Sequence, residues 1–177
     1  DMDKCNCCQK CEAVCPVKVP DDFNMGLAER AAIYRPAASG LPAHYLVDAG
    51  NCLYLAKGEC GQCVDICPQG AVRFSEEEVS LTFDIGTIVV ATGYDIFDAR
   101  QKPEYGYGRY ENVITGLEFE RLSSPQGPTQ GKILVRGKEP GNIVFIQCFG
   151  SRDKTVGNEY CSLVCCMSTA KQSLILK

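Results

Sequence analysis

Residues 3–20 read DKCNCCQKCEAVCPVKVP. Within them Cys5, Cys8, Cys11 and Cys15 form a C-x2-C-x2-C-x3-C run closed by Pro16. Residues 49–74, AGNCLYLAKGECGQCVDICPQGAVRF, repeat that ending with Cys60, Cys63, Cys67 and Pro68, and place Cys52 ahead of it after a seven-residue gap. Two copies of C-x2-C-x3-C-P make an internal repeat. Each proline stops the short helical turn that carries its cysteines, because proline cannot continue a helix.

The spacing has a chemical reason. A cubane iron–sulfur cluster needs four thiolates around a small core, and a tight loop supplies three. In two-cluster ferredoxins the fourth cysteine of each run ligates the other cluster. Carried over here, one cluster takes Cys5, Cys8, Cys11 and Cys67, and the second takes Cys52, Cys60, Cys63 and Cys15. Swapped fourth ligands staple the two halves, so a domain of about 75 residues needs only a modest apolar core. Zinc ribbons pair C-x2-C with C-x2-C and have no use for the C-x3-C-P ending. A dithiol redox centre would leave most of these cysteines idle.

Working outward, residues 17–48 link the two motifs, and Asp21 or Asp22 is expected to cap a short helix over 25–34 that breaks before Pro36. After the acidic turn SEEE, residues 75–78, the stretch 79–84 alternates like a half-exposed strand. Residues 87–91 are a continuous apolar, largely β-branched run suited to a buried strand, and end in Ala91, Thr92 and Gly93. Small residues there let a backbone approach a ligand. Thr115 introduces a helix over 116–122, the link SSPQGPTQGK follows at 123–132, and 142–146 reads as another buried strand. A Rossmann fold would continue with G-x-G-x-x-G. Here the chain continues QCFGSRD, and Gly106-Tyr107-Gly108 supplies no such fingerprint. Cysteine stands where a pyrophosphate loop would be.

Residues 147–172, QCFGSRDKTVGNEYCSLVCCMSTAKQ, hold Cys148, Cys161, Cys165 and Cys166 in a C-x12-C-x3-C-C pattern. Together with FNMGLAERAAIY, VVATGYDIFD and YGYGRYENVITGLEFERL, it gives the whole chain a resemblance to the iron–sulfur flavoprotein family of heterodisulfide reductase, found in methanogens and other anaerobes. The resemblance implies a ferredoxin domain inserted into a thioredoxin-reductase-like FAD domain. It also implies a third 4Fe–4S cluster on Cys148, Cys161, Cys165 and Cys166, with zinc as the competitor for four thiolates. Adjacent Cys165 and Cys166 can both reach one cluster from an irregular helix start. In that family FAD splits electron pairs between a low-potential ferredoxin and disulfide reduction on another polypeptide of the complex.

The expected fold class is therefore α+β. A ferredoxin-like domain with two 4Fe–4S clusters spans 1–77, and a partial α/β domain of the thioredoxin-reductase-like FAD/NAD-binding type spans 78–177. Ala91, Thr92 and Gly93 are the expected flavin contacts, with FAD belonging to the full-length protein. The expected role is electron transfer, with clusters as wires and no catalytic residue in this chain. Expected partners are other subunits of the same reductase type, ferredoxin, or a hydrogenase or dehydrogenase donor. A related flavoprotein of quinone-linked sulfur metabolism shares the motifs. Readings from other classes are a flavin-free polyferredoxin and a zinc-stabilised interaction module.

Bulk properties agree. Among 177 residues, 45% are hydrophobic and 23% charged, so the chain is globular. A net charge of -4 argues against a nucleic-acid binder. The longest apolar runs are far too short to cross a bilayer. Thirteen cysteines, clustered and without a secretory signal, point to metal or redox work in an anaerobic cytoplasm rather than to a disulfide scaffold. Cys7 is a spare thiol, and His44, the single histidine, is an ordinary loop residue. The first residue is Asp and the last lie in an apparent helix, so a fragment or one piece of an assembly is expected.

Overall fold

The computed structural model describes residues 1–36, 40, 41, 43–75, 78–135 and 137–177. It is a small mixed α+β chain that divides into two units, Asp1–Ile88 and Val89–Lys177. The acidic turn expected at 75–78 lies partly outside the described residues, and the rest of it carries no regular structure.

In the first unit, helix α1 (Lys10–Val14) carries Cys11 and ends at Cys15, whose backbone is extended before Pro16. Strand β1 (Lys18–Pro20) pairs antiparallel with β2 (Glu29–Ala31), with Val19 opposite Arg30. Strand β3 (Ile33–Tyr34) pairs antiparallel with β4 (Leu46–Val47). Helix α2 (Leu53–Lys57) stops at Gly58, which is left-handed at φ 72°, and α3 (Gln62–Asp65) leads through Ile66 to Cys67 and Pro68. Both prolines thus follow a short helix, as their chemistry demands.

The helix expected over 25–34 is not formed. Asp21 does cap, its carboxylate accepting from Phe23 N, but what it caps is a 3-10 turn, Asp22–Asn24. Met25 is left-handed at φ 56°, which closes that turn, and the following residues enter β2 and β3. The hairpin wins because it buries Ala31, Ala32 and Ile33 on the core and gives β1 its partner. Arg30 fixes it from outside, bonding Asp48 at 2.9 Å and lying 3.9 Å over the Tyr34 ring.

In the second unit, α4 (Gly116–Ser123) begins at Thr115 as expected. The Thr115 hydroxyl accepts from Glu118 N, and the Glu118 carboxylate accepts from Thr115 N, a reciprocal cap. Phe119 and Leu122 are buried, and Phe119 meets Phe145 edge-on at 6.1 Å. Helix α5 (Cys165–Ile175) packs on α4 through Gln172, which is 3% exposed and donates to Gly116 O and Glu120 Oε1.

The segments 79–84, 87–91 and 142–146 carry no regular structure and belong to no strand among the described residues. Many of their apolar side chains face solvent, with Val89 83% and Val144 84% exposed. The β pattern is present, and among the described residues no sheet takes it up.

Candidate metal centres

The clearest grouping lies in the first unit, where a small apolar pocket is lined by Cys15, Cys52, Cys60 and Cys63. Cys15 comes from the first motif and the other three from the second. The elements explain the meeting: Cys15 leaves the end of α1, Cys52 precedes α2, and Cys60 and Cys63 flank the start of α3, which packs on α1. Ala32 and Ile33 of the hairpin, with Tyr54 and Phe74 stacked at 4.2 Å between ring centres, complete the wall. Cys60 holds a left-handed φ of 79°, rare for a side chain with a Cβ, and Gly61 follows at φ 144°. Burial pushes the Cys63 thiol up, and the nearby Cys52, Cys60 and Cys15 push it the same way.

Near α1, Cys11 and Cys5 of the first motif lie close to Cys67 of the second. Cys11, buried on α1, is pushed up to about 11 by its burial first, with Cys5 and Cys67 adding to it. Cys67 behaves in the opposite sense. Burial would raise it, but the N–H groups of Ala71, Gln69, Val72 and Gly70 outweigh that and hold the thiol low, Ala71 N lying 3.3 Å from its sulfur. A turn of amides aimed at one sulfur suits a thiolate that is to carry charge. Cys8 is exposed and interacts with Cys7. Cys7 is itself turned toward the carbonyl of Ala43, with its sulfur 2.9 Å away. Tyr45 donates to Glu12, beside Cys11, at 2.9 Å, and burial, then that bond, raises its hydroxyl.

The third group lies in the second unit. Cys148, left-handed at φ 56°, and Cys161 are the ends of a loop tied to itself. Arg152 N donates to Tyr160 O at 2.9 Å, Asp153 N to Asn158 O at 2.7 Å, and Ser162 N to Ser151 Oγ at 2.9 Å. Lys102 forms an ion pair with Asp153, and this bond, then those from Thr155, hold the carboxyl down to about 2. Phe149 packs edge-on against Phe97 and Tyr105. Cys165 opens α5 with Cys166 next to it. The N–H of Cys148 and then the Ser162 side chain hold the Cys165 thiol low, while Cys165 itself, then Cys148 and Cys161, push Cys166 up. Leu163 N donates to the Cys161 sulfur at 3.4 Å.

Cys15, Cys52, Cys60 and Cys63 line one pocket, Cys11 feels Cys5 and Cys67, and Cys166 feels Cys148, Cys161 and Cys165, whereas Cys8 is placed only beside Cys7; among the described residues no three His, Cys, Asp or Glu side chains close on a single ion. Ala91, Thr92 and Gly93 are exposed and belong to no regular element; Gly93 is left-handed at φ 73°, and nothing lies within 4 Å of where its Cβ would be. Sequence reading missed the polar neighbours of the sulfurs: Ala71, Ser162 and Gln147, whose Oε1 lies 3.2 Å from the Cys166 sulfur. The signal for Ser162 and Gln147 is adjacency to a cysteine; Ala71 has none.

No protein-family model matches the chain. Over its whole length it is 46% identical to an iron–sulfur subunit of the CoB–CoM heterodisulfide reductase of Methanocaldococcus jannaschii, of which it covers 26%. It is 47% identical over its whole length to the corresponding subunit of an H2/formate:CoB–CoM heterodisulfide,ferredoxin reductase of Methanococcus maripaludis, again covering 26%. Across 99% of the chain it is 44% identical to the corresponding subunit of a ferredoxin/F420H2-dependent CoB–CoM heterodisulfide reductase of Methanosarcina acetivorans, covering 22%. These relatives are subunits of an oxidoreductase, and the chain is homologous to a segment spanning about a quarter of their length.

Proposed function

We propose that residues 1–177 are the electron-relay part of an FAD- and iron–sulfur-dependent oxidoreductase of the heterodisulfide reductase type. The observation that supports this most directly is the pocket lined by Cys15 with Cys52, Cys60 and Cys63. It mixes the two motifs in the way that cross-ligated ferredoxins do. A ferredoxin-like domain over 1–77 would hold two clusters, on Cys5, Cys8, Cys11 and Cys67 and on Cys52, Cys60, Cys63 and Cys15. Cys148, Cys161, Cys165 and Cys166 would hold the third. When bound, each 4Fe–4S group stores and releases one electron at a time.

The chain's own residues set the conditions for that chemistry. The apolar wall of Ala32, Ile33, Tyr54 and Phe74 excludes water from the Cys15 group. The amides of residues 69–72 stabilise negative charge on Cys67. In the second unit the loop bonds between 150 and 162 hold Cys148 and Cys161 in place relative to each other. The segments 79–91 and 142–146 would join a sheet in a thioredoxin-reductase-like FAD domain over 78–177 and beyond. Ala91, Thr92 and Gly93 would then face the flavin. Other subunits of the reductase, ferredoxin or a hydrogenase-type donor would supply and take up the electrons.

The deciding experiment is iron, zinc and acid-labile sulfide per chain after anaerobic purification, beside a Cys165→Ala/Cys166→Ala variant. Three clusters give about twelve irons, falling to about eight in the variant. About eight in both confines clusters to the first unit, and zinc in place of the missing four makes the third site structural.

A further inference from the structure

We propose that Gln147 is a hydrogen-bond donor to the sulfur of Cys166 and raises the reduction potential of the third cluster, an inference that rests on reading Cys148, Cys161, Cys165 and Cys166 as its ligands. As a thiol, Cys166 donates to Gln147 Oε1 at 3.2 Å. An iron-bound thiolate has no proton to give. The contact then joins two acceptors unless the amide turns over. A half-turn about the terminal torsion of glutamine, which is broad and two-fold, exchanges oxygen for NH2 with almost no change of shape. The same position then delivers N–H to sulfur.

The remainder of the site is built on the same plan. Leu163 N donates to Cys161 at 3.4 Å, and Cys165 receives the N–H of Cys148 and the Ser162 side chain. Cys166 lies one residue further into α5, and Gln147, directly before Cys148, reaches it across nineteen positions of sequence. Hydrogen bonds to cluster sulfurs stabilise the more negative, reduced state and so raise its potential. Gln147 also links the two ends of the C-x12-C-x3-C-C motif, so it orients Cys166 as well as tuning it.

The test is Gln147→Met in the cluster-loaded, anaerobically purified protein. Methionine keeps the length and neutrality of glutamine and removes the donor. Iron is counted first, and an EPR-monitored redox titration follows, with the third cluster's signal identified by its loss in Cys165→Ala/Cys166→Ala. The expected result is about twelve irons retained, with the midpoint of the third cluster lowered and the other two unmoved. An unmoved midpoint at full iron content overturns the proposal. If the unmodified protein holds only about eight irons, the third-site reading itself has failed and the proposal with it; the iron count separates the two failures. Should the methionine variant shed the cluster, unmodified protein labelled with 15N in the glutamine amide decides. An amide 15N coupling on the reduced third cluster supports the donor role, and its absence overturns it.

Discussion

Cys15 and Asp153 are the residues with most to say. If Cys15 serves the group of Cys52, Cys60 and Cys63, substitutions within one group should not add. Cys15→Ser with Cys52→Ser is expected to cost about four irons, and Cys15→Ser with Cys5→Ser about eight, both read by iron assay. Asp153 is held down to about 2, so at neutral pH it is a full partner for Lys102 and for the amide and hydroxyl of Thr155. Asp153→Asn removes the charge while keeping the shape. The amides of Arg152 and Asn158 are expected to exchange several-fold faster, and hydrogen-exchange mass spectrometry would detect it. Gly150 is the third. It is left-handed at φ 69°, and an added Cβ would meet the Phe97 ring at 2.2 Å. Gly150→Ala should cost at least about 1–2 kcal/mol from backbone strain alone and lower iron loading of the neighbouring cysteines.

Elements separate what local sequence specifies from what it does not. Helix α4 was legible because Thr115 and Glu118 are three residues apart and satisfy each other's backbone, a purely local signal. Thr115→Ala is expected to cost about 1 kcal/mol in thermal or chemical unfolding. The bond lost is the one from Glu118 N to the Thr115 hydroxyl; the Glu118 carboxylate keeps the Thr115 backbone N–H and the Tyr107 hydroxyl, which donates at 2.9 Å. Helix α5 was legible from MSTAKQSLI, much of which favours a helix. The misreading over 25–34 has the opposite cause. LAERAAIY has helical propensity, but Val19 and Val47 offered it strand partners from outside the window. Tertiary pairing overrides weak local preference.

At the scale of the whole molecule, one apolar run stands in solvent. Ile88, Val89 and Val90 are 76%, 83% and 79% exposed on chain with no ladder. Fully burying one such side chain is worth about 1.5–3 kcal/mol. On the proposed reading a longer polypeptide pairs these segments. Val89→Asp should then leave residues 1–177 as stable as before, yet destabilise the longer protein by at least that amount. Amide exchange at 87–91 should be fast in the short chain and strongly protected in the long one. Equal exchange in both would remove the sheet from the proposal.

Local sequence encodes the chemistry on offer: two C-x2-C-x3-C-P endings, a C-x12-C-x3-C-C run and the short helical turns that carry their cysteines. Ligand spacing, proline stops and capping boxes are encoded within a few residues, so they survive without knowledge of the fold. Which cysteine stands beside which depended on α1 packing against α3, which brings Cys15 to the pocket of Cys52, Cys60 and Cys63. The tertiary structure also decided which amides and side chains point at the sulfurs, and that Gln172 and Glu118 are buried while Val89 is not. The bonds between Gln147 and Cys166, and from Gln172 to Gly116 and Glu120, join residues distant in sequence. Their energies depend on burial and direction, which spacing along a chain does not carry.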